Sequence, residues 1–249
     1  MAKLRIAVSG GRGRTGEHVI RAVYRDDTAA LSGVLLRPGS AEVGIAVSIP
    51  DTPLGTGLTY SDDVAAVFAD ADVVIDFSTP EGALALAKAA ARAAKALVIG
   101  TTGFSETELG EIKRAARKAP ILVSYNMSLG IAAIAALLKP LAGALGPGFH
   151  LHLTDIHHKD KRDKPSGTAL LLAEASGRAR DAIKFTSLRE GDAIGEHRIL
   201  FAGPAEQVEI IHRATDRRLY AEGALMAAHW LFGRPPDFYT LKDVLKGTL

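Results

Sequence analysis

The segment His157-His158-Lys159-Asp160-Lys161 places two imidazoles and the Lys161 ammonium within five residues. A histidine titrates near neutrality, so His157 can deliver a proton during a reaction. Lys161 can donate a proton or hold an anion. Pro165-Ser166-Gly167-Thr168 follows and opens the apolar run Ala169-Leu170-Leu171-Leu172. Ser166, Gly167 and Thr168 therefore stand at a predicted helix start. Free N–H groups and hydroxyls there bind a carboxylate. His158, Lys159 and Lys164 add positive charge. The pattern describes a pocket for a small carboxylate that is protonated in the reaction. The plainer alternative is a solvated basic loop capped by Ser166. No metal is expected: adjacent histidines point to opposite faces of a strand, and no other His or carboxylate has ligand spacing. His150 and His152 share a face and read as structural. His18, His197, His212 and His229 have no partner that the sequence names.

A proton needs a counterpart. Hydride addition to a C=C or C=N bond supplies one, and the N-terminus offers a hydride carrier's cradle. Ser9-Gly10-Gly11-Arg12-Gly13-Arg14-Thr15-Gly16 lies between a strand-like run and a helical run. Gly10, Gly13 and Gly16 follow a variant of the dinucleotide spacing. Small residues there permit a tight turn and close approach of a pyrophosphate to the helix start. The alternative is an ordinary strand–helix turn. At the end of the second strand, an acid would hold the ribose 2′-OH of NAD. Leu36-Arg37 stands there instead, so Arg37, with Arg12 or Arg14, suits the 2′-phosphate of NADPH. NADPH is the preferred cofactor and NADH a possible one. Gly100-Thr101-Thr102-Gly103-Phe104 and Ser124-Tyr125-Asn126-Met127-Ser128 leave later strand ends and can wall the nicotinamide. Ser78, after another strand, can touch the ribose.

Positioning these loops requires strands alternating with helices. Leu4–Ser9, Ala30–Leu36, Val73–Phe77, Leu97–Gly100 and Ile121–Ser124 read as strands. Gly16–Tyr24, Asp63–Phe68, Glu81–Ala94 and Glu106–Lys118 read as helices. The alternation predicts a Rossmann-like, doubly wound parallel sheet. After a helix at Ile131–Ala142 the pattern changes. Phe149–Thr154, His197–Phe201 and Gln207–His212 alternate in two-residue steps, as strands of a half-covered antiparallel or mixed sheet do. The helix near Ser166 is expected to pack on one face. The fold class is therefore α/β with an inserted α+β domain. The expected division is a dinucleotide-binding domain at 1–126, rejoined by 223–249, and a substrate and oligomerisation domain at 127–222. Ala221–Leu231 and Thr240–Leu245 read as closing helices.

Composition sets the surroundings. A chain of 249 residues holds one large or two modest domains. Its net charge of +2 gives no argument for a nucleic-acid partner. Absence of cysteine excludes disulfides, a zinc–thiolate site and a catalytic thiol, and fits a reducing cytosol. The N-terminus enters a strand directly, so no signal peptide is expected. No apolar stretch reaches spanning length, so no membrane partner is expected. The expected location is cytoplasmic.

Taken together, these residues resemble the 4-hydroxy-tetrahydrodipicolinate reductase (dihydrodipicolinate reductase) family of lysine and diaminopimelate synthesis. The resemblance runs through Gly10–Gly16, Asp76–Gly82, Gly100–Phe104, Asn126–Gly130, His157–Ala169 and Arg189–His197. The His-His-x-x-Lys pattern followed by Pro-Ser-Gly-Thr-Ala is its most specific part. The resemblance implies that His157 is the proton donor and Lys161 the catalytic lysine. It implies that His158, Gly167 and Thr168 bind the substrate's carboxylates. Gly10–Thr15, Gly100–Thr102 and Ser124–Met127 would contact the cofactor, and Arg37 would select NADP. It implies reduction of a cyclic unsaturated dicarboxylate to tetrahydrodipicolinate. It also implies a homotetramer joined through the second domain's sheet. Three features depart from the family pattern: Leu36 in place of an acid, the basic Arg162 and Lys164, and a shortened stretch at Ala182–Leu188. Two alternative readings keep the fold: a related imine or amino-acid dehydrogenase, and a non-catalytic NADPH sensor.

Overall fold

The computed structural model describes residues 2–49 and 56–246; the expected domain ends at 1 and 247–249 lie outside the described residues. The chain divides into two compact units, Met1–Met127 with Tyr220–Leu249, and Ser128–Leu219.

The first unit is built on seven parallel strands: β1 (Leu4–Ser9), β2 (Ala29–Leu35), β3 (Tyr60–Ser61), β4 (Val73–Asp76), β5 (Ala96–Ile99), β6 (Ile121–Val123) and, late in the chain, β11 (Phe238–Tyr239). Their order is β11-β6-β5-β4-β1-β2-β3. Every residue of β4, β5 and β6 is buried. That is why these strands read as continuous apolar runs: helices cover a parallel sheet on both faces. Helices α1 (Arg14–Arg25), α2 (Val64–Asp70), α3 (Pro80–Ala93) and α4 (Glu106–Ala115) make the crossovers. Three of them start on a side-chain cap: Asp63 for α2, Thr79 followed by Pro80 for α3, and a Ser105–Glu108 capping box for α4. Helix α1 is different. Its cap position is Gly13, which supplies no side-chain hydrogen bond. Helix α4 ends at Ala115, three residues before the expected Lys118, and a hydrogen-bonded turn carries the chain on.

In the second unit, helices α5 (Leu129–Leu145) and α6 (Gly167–Ser176) lie on a four-stranded sheet. Its strands are β7 (His150–His157), β8 (Ile183–Arg189), β9 (Gly195–Ala202) and β10 (Gln207–Ala214), in the order β10-β9-β7-β8. The sheet is mixed: β7 and β8 are parallel, and the other pairs are antiparallel. The stretch expected to be a shortened remnant thus contains a full strand, β8. Leu151 and Leu153 of β7 meet Ile183 and Phe185 of β8, and Phe201 and Ile199 of β9. With Leu138 and Leu172 these residues form the unit's core. Each fully buried side chain of this size stabilises by roughly 1.5–3 kcal/mol. Residues of the other parity, among them His152, Leu188, Leu200 and Ile211, lie on the sheet's opposite face. The closing helices α7 (Arg218–Leu231) and α8 (Leu241–Leu245) complete the chain.

Candidate functional site

In the first unit, four loops leave the C-terminal ends of four neighbouring strands, β6, β5, β4 and β1. The chain turns one way from β1 to β2 and the other way to β4, which makes the β1/β4 boundary the switch point where ligands bind in such sheets. The glycine loop sits there. Gly10 has φ +76°, and a Cβ on it would lie 2.2 Å from the Phe77 carbonyl oxygen. A Cβ on Gly16 would lie 2.1 Å from the Gly10 oxygen. The Gly13 N–H donates to that same oxygen at 2.8 Å and closes the turn. Because Gly13 gives α1 no side-chain cap, the first-turn N–H groups of Arg14, Thr15 and Gly16 stay available to an anion, and the ladder begins with Glu17 N–H donating to the Gly13 carbonyl at 3.1 Å. This cradle fits a dinucleotide's pyrophosphate.

The neighbouring loops are held by a buried acid that pattern reading passed over. Asp76, at the end of β4, is fully buried. It accepts hydrogen bonds from Ser78 Oγ and Thr101 Oγ1, each at 2.6 Å. Thr101 Oγ1 in turn accepts from the Ser78 N–H at 2.9 Å. Burial pushes the Asp76 carboxyl above the usual carboxylate range, against the pull of its hydroxyl partners. Gly100 lies against the Phe77 ring, where a Cβ would clash at 2.3 Å. Thr102 is exposed. Ser124 Oγ donates to the Asn126 carbonyl at 2.7 Å and shapes the β6 loop. Tyr125 is exposed at its tip, and Met127 is buried. Arg37 is exposed in the turn after β2, and Arg14 is exposed beside the glycine loop. Arg12 is already engaged, by Glu42 at 2.9 Å and Glu17 at 3.3 Å. Gly11 has its Cα against Val34, with no room for a Cβ.

In the second unit, strand β7 carries leucines on its helix-facing side until its last turn, where Asp155 and His157 take over. A parallel neighbour puts Ser187 and Arg189 of β8 at the same level, and antiparallel β9 and β10 add His197 and His212. The end of the core is therefore polar. Asp155 is the hub. Its Oδ1 accepts from His157 Nδ1 at 3.1 Å and from Arg189 Nη1 at 2.8 Å. Its Oδ2 accepts from Ser187 Oγ at 2.6 Å and from the Ser166 N–H at 3.4 Å. Burial alone would raise this carboxyl, but hydrogen bonds from His157, Ser187 and Arg189 outweigh it and hold it well below the usual range. The His197 ring meets the His157 ring edge-on, with centroids 5.3 Å apart. Burial pushes the His197 imidazole down to about 3. His212 pairs with Ser128 Oγ at 3.1 Å.

Helix α6 opens beside this cluster. Ser166 is buried; its Oγ accepts from the Ala169 N–H at 3.2 Å and lies 3.4 Å from His197 Nε2. The Ser166 hydroxyl is thus committed inside the unit, and the outward surface of the helix start belongs to Gly167 and Thr168. Gly167 is exposed, and a Cβ there would meet open space. His158 is half-buried, its N–H held by the Ala193 carbonyl at 2.8 Å. Lys161 is ion-paired with Asp163 at 2.8 Å. Arg162 and Lys164 are exposed. The sequence pattern assigns Asp155, Arg189 and His197 no role, because strand pairing brings Arg189 and His197 to the level of Asp155 from more than thirty residues away. Among the described residues, no cluster of three or more His, Asp or Glu side chains could hold a metal ion, and no helix is long and apolar enough to cross a membrane.

Family models described as dihydrodipicolinate reductase, N-terminus, and dihydrodipicolinate reductase, C-terminus, match residues 4–127 and 130–245. The chain belongs to the dihydrodipicolinate reductase family. It is 42% identical to the 4-hydroxy-tetrahydrodipicolinate reductase of Anaeromyxobacter dehalogenans strain 2CP-1, over 97% of each chain. It is 40% identical to the enzyme of that name from Beijerinckia indica, over 98% of each. A solved dihydrodipicolinate reductase from Paenisporosarcina sp. TG-14, bound to dipicolinate, superposes with a TM-score of 0.81 at 22% identity. It covers 98% of this chain and 100% of its own. A Rossmann-type dehydrogenase of this family takes a nicotinamide cofactor.

Proposed function

We propose that this protein reduces 4-hydroxy-tetrahydrodipicolinate to tetrahydrodipicolinate with a nicotinamide cofactor, as a cytoplasmic step of lysine and diaminopimelate synthesis. The observation that carries the assignment is the polar end of the second unit's core. There an oriented imidazole and a basic loop flank the start of helix α6, where the Asp163 carboxylate accepts from the Gly167 N–H at the place proposed for a substrate carboxylate. The first unit holds the cofactor. Gly10, Gly11, Gly13 and Gly16 seat the pyrophosphate, with Arg12, Arg14 and Thr15 at the rim. Ser78, Gly100, Thr101, Thr102, Ser124, Tyr125, Asn126 and Met127 line the adjoining loops. Bound there, the dinucleotide supplies the hydride. Arg37 follows Leu36, with no acid at that strand end, and this favours NADPH over NADH.

The second unit handles the substrate and the proton. Gly167 and Thr168 present N–H groups and a hydroxyl to one carboxylate, with the main chain of Ser166 setting the helix start. His158 and the basic loop attract the dianion. His157 delivers a proton from Nε2, the ring nitrogen that Asp155 leaves free, and Lys161 assists. The open face of the mixed sheet serves assembly as a homotetramer.

The test is kcat/KM for freshly generated dihydrodipicolinate substrate with NADPH and with NADH. Turnover with NADPH preferred is expected. Preference for NADH would show the Arg37 argument to be wrong. Substituting His157→Gln and Lys161→Ala together should cost about 10²–10⁴-fold, mainly in kcat, as expected of acid catalysis. Full activity in that double variant would refute the site assignment.

A further inference from the structure

His157 and Lys161 are attached to different parts of the second unit, one on a strand and one on a loop. A single buried ion pair reaches both. Asp155 is 1% exposed and the Arg189 side chain is 5% exposed. Asp155 holds the His157 ring through Nδ1. Arg189 holds Asp155 with Nη1 and reaches the other way with the rest of its fork. Its Nε donates to the Lys161 carbonyl at 3.2 Å, and its Nη2 donates to the Asp163 carbonyl. One guanidinium thus spans from the histidine's orienting acid to the backbone of the lysine loop. A planar five-donor fork is suited to that task, and an ammonium is not.

The polarity of the hydrogen bonds fixes the tautomer. Asp155 accepts from Arg189 and Ser187 and is ionised, so it has no proton to give. The bond to His157 must therefore be Nδ1–H donating to Oδ1, which leaves Nε2 to face the reaction. The space at Nε2 is kept by Gly195: a Cβ there would lie 3.2 Å from that nitrogen. Arg189 neutralises the Asp155 charge, so the acid acts on His157 by direction more than by field.

We infer that Asp155 and Arg189 are positioning residues that set the His157 tautomer and the Lys161 loop from one buried pair. This rests on the proposed reductase reading for its kinetic part alone. In the mechanism, the Nε2–H of the imidazolium passes its proton to the substrate, and the neutral ring that remains is the Nδ1–H form that Asp155 already favours.

The test begins on the full-length wild-type protein without substrate. A long-range ¹H–¹⁵N spectrum at alkaline pH reads the His157 tautomer directly. The Nδ1–H form is expected, and an Nε2–H ring would overturn the inference. Asp155→Asn presents an amide N–H to Nδ1 and is expected to switch the ring to Nε2–H. It should lower kcat by about 10²-fold, within the span of acid catalysis, with KM changed less than about threefold. Asp155→Glu, which keeps a carboxylate, should retain the wild-type tautomer and most of kcat. Arg189→Lys should keep the tautomer and still lose kcat, because it cannot hold both carbonyls of the lysine loop. Wild-type kcat in Asp155→Asn would overturn the inference. Should Asp155→Asn not fold, the wild-type spectrum and the Arg189→Lys rates still decide it. A wild type with the Nδ1–H ring but no turnover of dihydrodipicolinate would refute the substrate assignment and leave the dyad standing.

Discussion

His197 makes the most quantitative prediction available from this site. It lies on β9 with 4% of its surface exposed, and its Nδ1 has no hydrogen-bond partner. Burial, then the neighbouring His157 and His212, push its imidazole down to about 3. An unfolded chain restores the ring to about 6.5. Between these values the unfolded state binds a proton that the native state does not. Stability therefore rises with pH across that window and is lost as pH falls below about 6.5. At pH 5 the unfolded ring lies about 1.5 units below its midpoint, and at roughly 1.4 kcal/mol per unit the loss is about 2 kcal/mol. The ring is well buried, so solvent screening removes little of this. The assay is urea unfolding of wild type and His197→Gln at pH 8, 6 and 5. The wild type should lose about 2 kcal/mol more than the variant between pH 8 and 5, since other titrating groups are common to both. Parallel pH profiles would refute the reasoning, as would a His197 resonance that titrates at pH 6 or above. The prediction bears on function because the two rings lie edge to edge. A His197 that stays neutral spares the site a second positive charge beside His157.

Two further outcomes test the cradle and the sheet. Gly16→Ala places a methyl 2.1 Å from the Gly10 carbonyl, so the loop must shift. NADPH affinity, read by fluorescence titration, should fall at least about tenfold, roughly 1.4 kcal/mol, and unchanged affinity would remove the pyrophosphate from that loop. On the open face of the mixed sheet, Ile211 is 47% and Leu188 41% exposed. If the proposed tetramer forms through this face, wild type should scatter as a tetramer and Ile211→Asp as smaller species with the fold intact; a tetramer retained in the variant would move the interface elsewhere, and a monomeric wild type would refute the assembly.

The parts of this molecule that were legible are those encoded within one element. The glycine spacing at the β1–α1 junction needs only its own residues to define a tight turn. The alternation of Leu151, Leu153, Asp155 and His157 shows one strand face, and Ser166 before Gly-Thr-Ala marks a helix start. What stayed hidden depends on pairing between elements. Strand β8 was missed because its helix-facing positions change character along their length: Ile183 and Phe185 enter the core, whereas Ser187 and Arg189 serve a carboxylate. An apolar–polar template reads that change as the end of a strand. The signal was available in the register itself, since Ile183, Phe185, Ser187 and Arg189 repeat the two leucines and two polar groups of β7. The same logic explains Asp155. It stands two residues before His157, yet two of its partners, Ser187 and Arg189, come from a parallel strand more than thirty residues later. A buried acid is costly without partners, so an acid at a core-facing position of a strand predicts them before they are found. Asp76 obeys the same rule at the end of β4, where Ser78 and Thr101 answer it. In both units an inward-facing carboxylate at a strand's C-terminal end ties down the loops that would meet a ligand. That makes the buried acids, rather than the exposed arginines and lysines, the residues that set the geometry of each site.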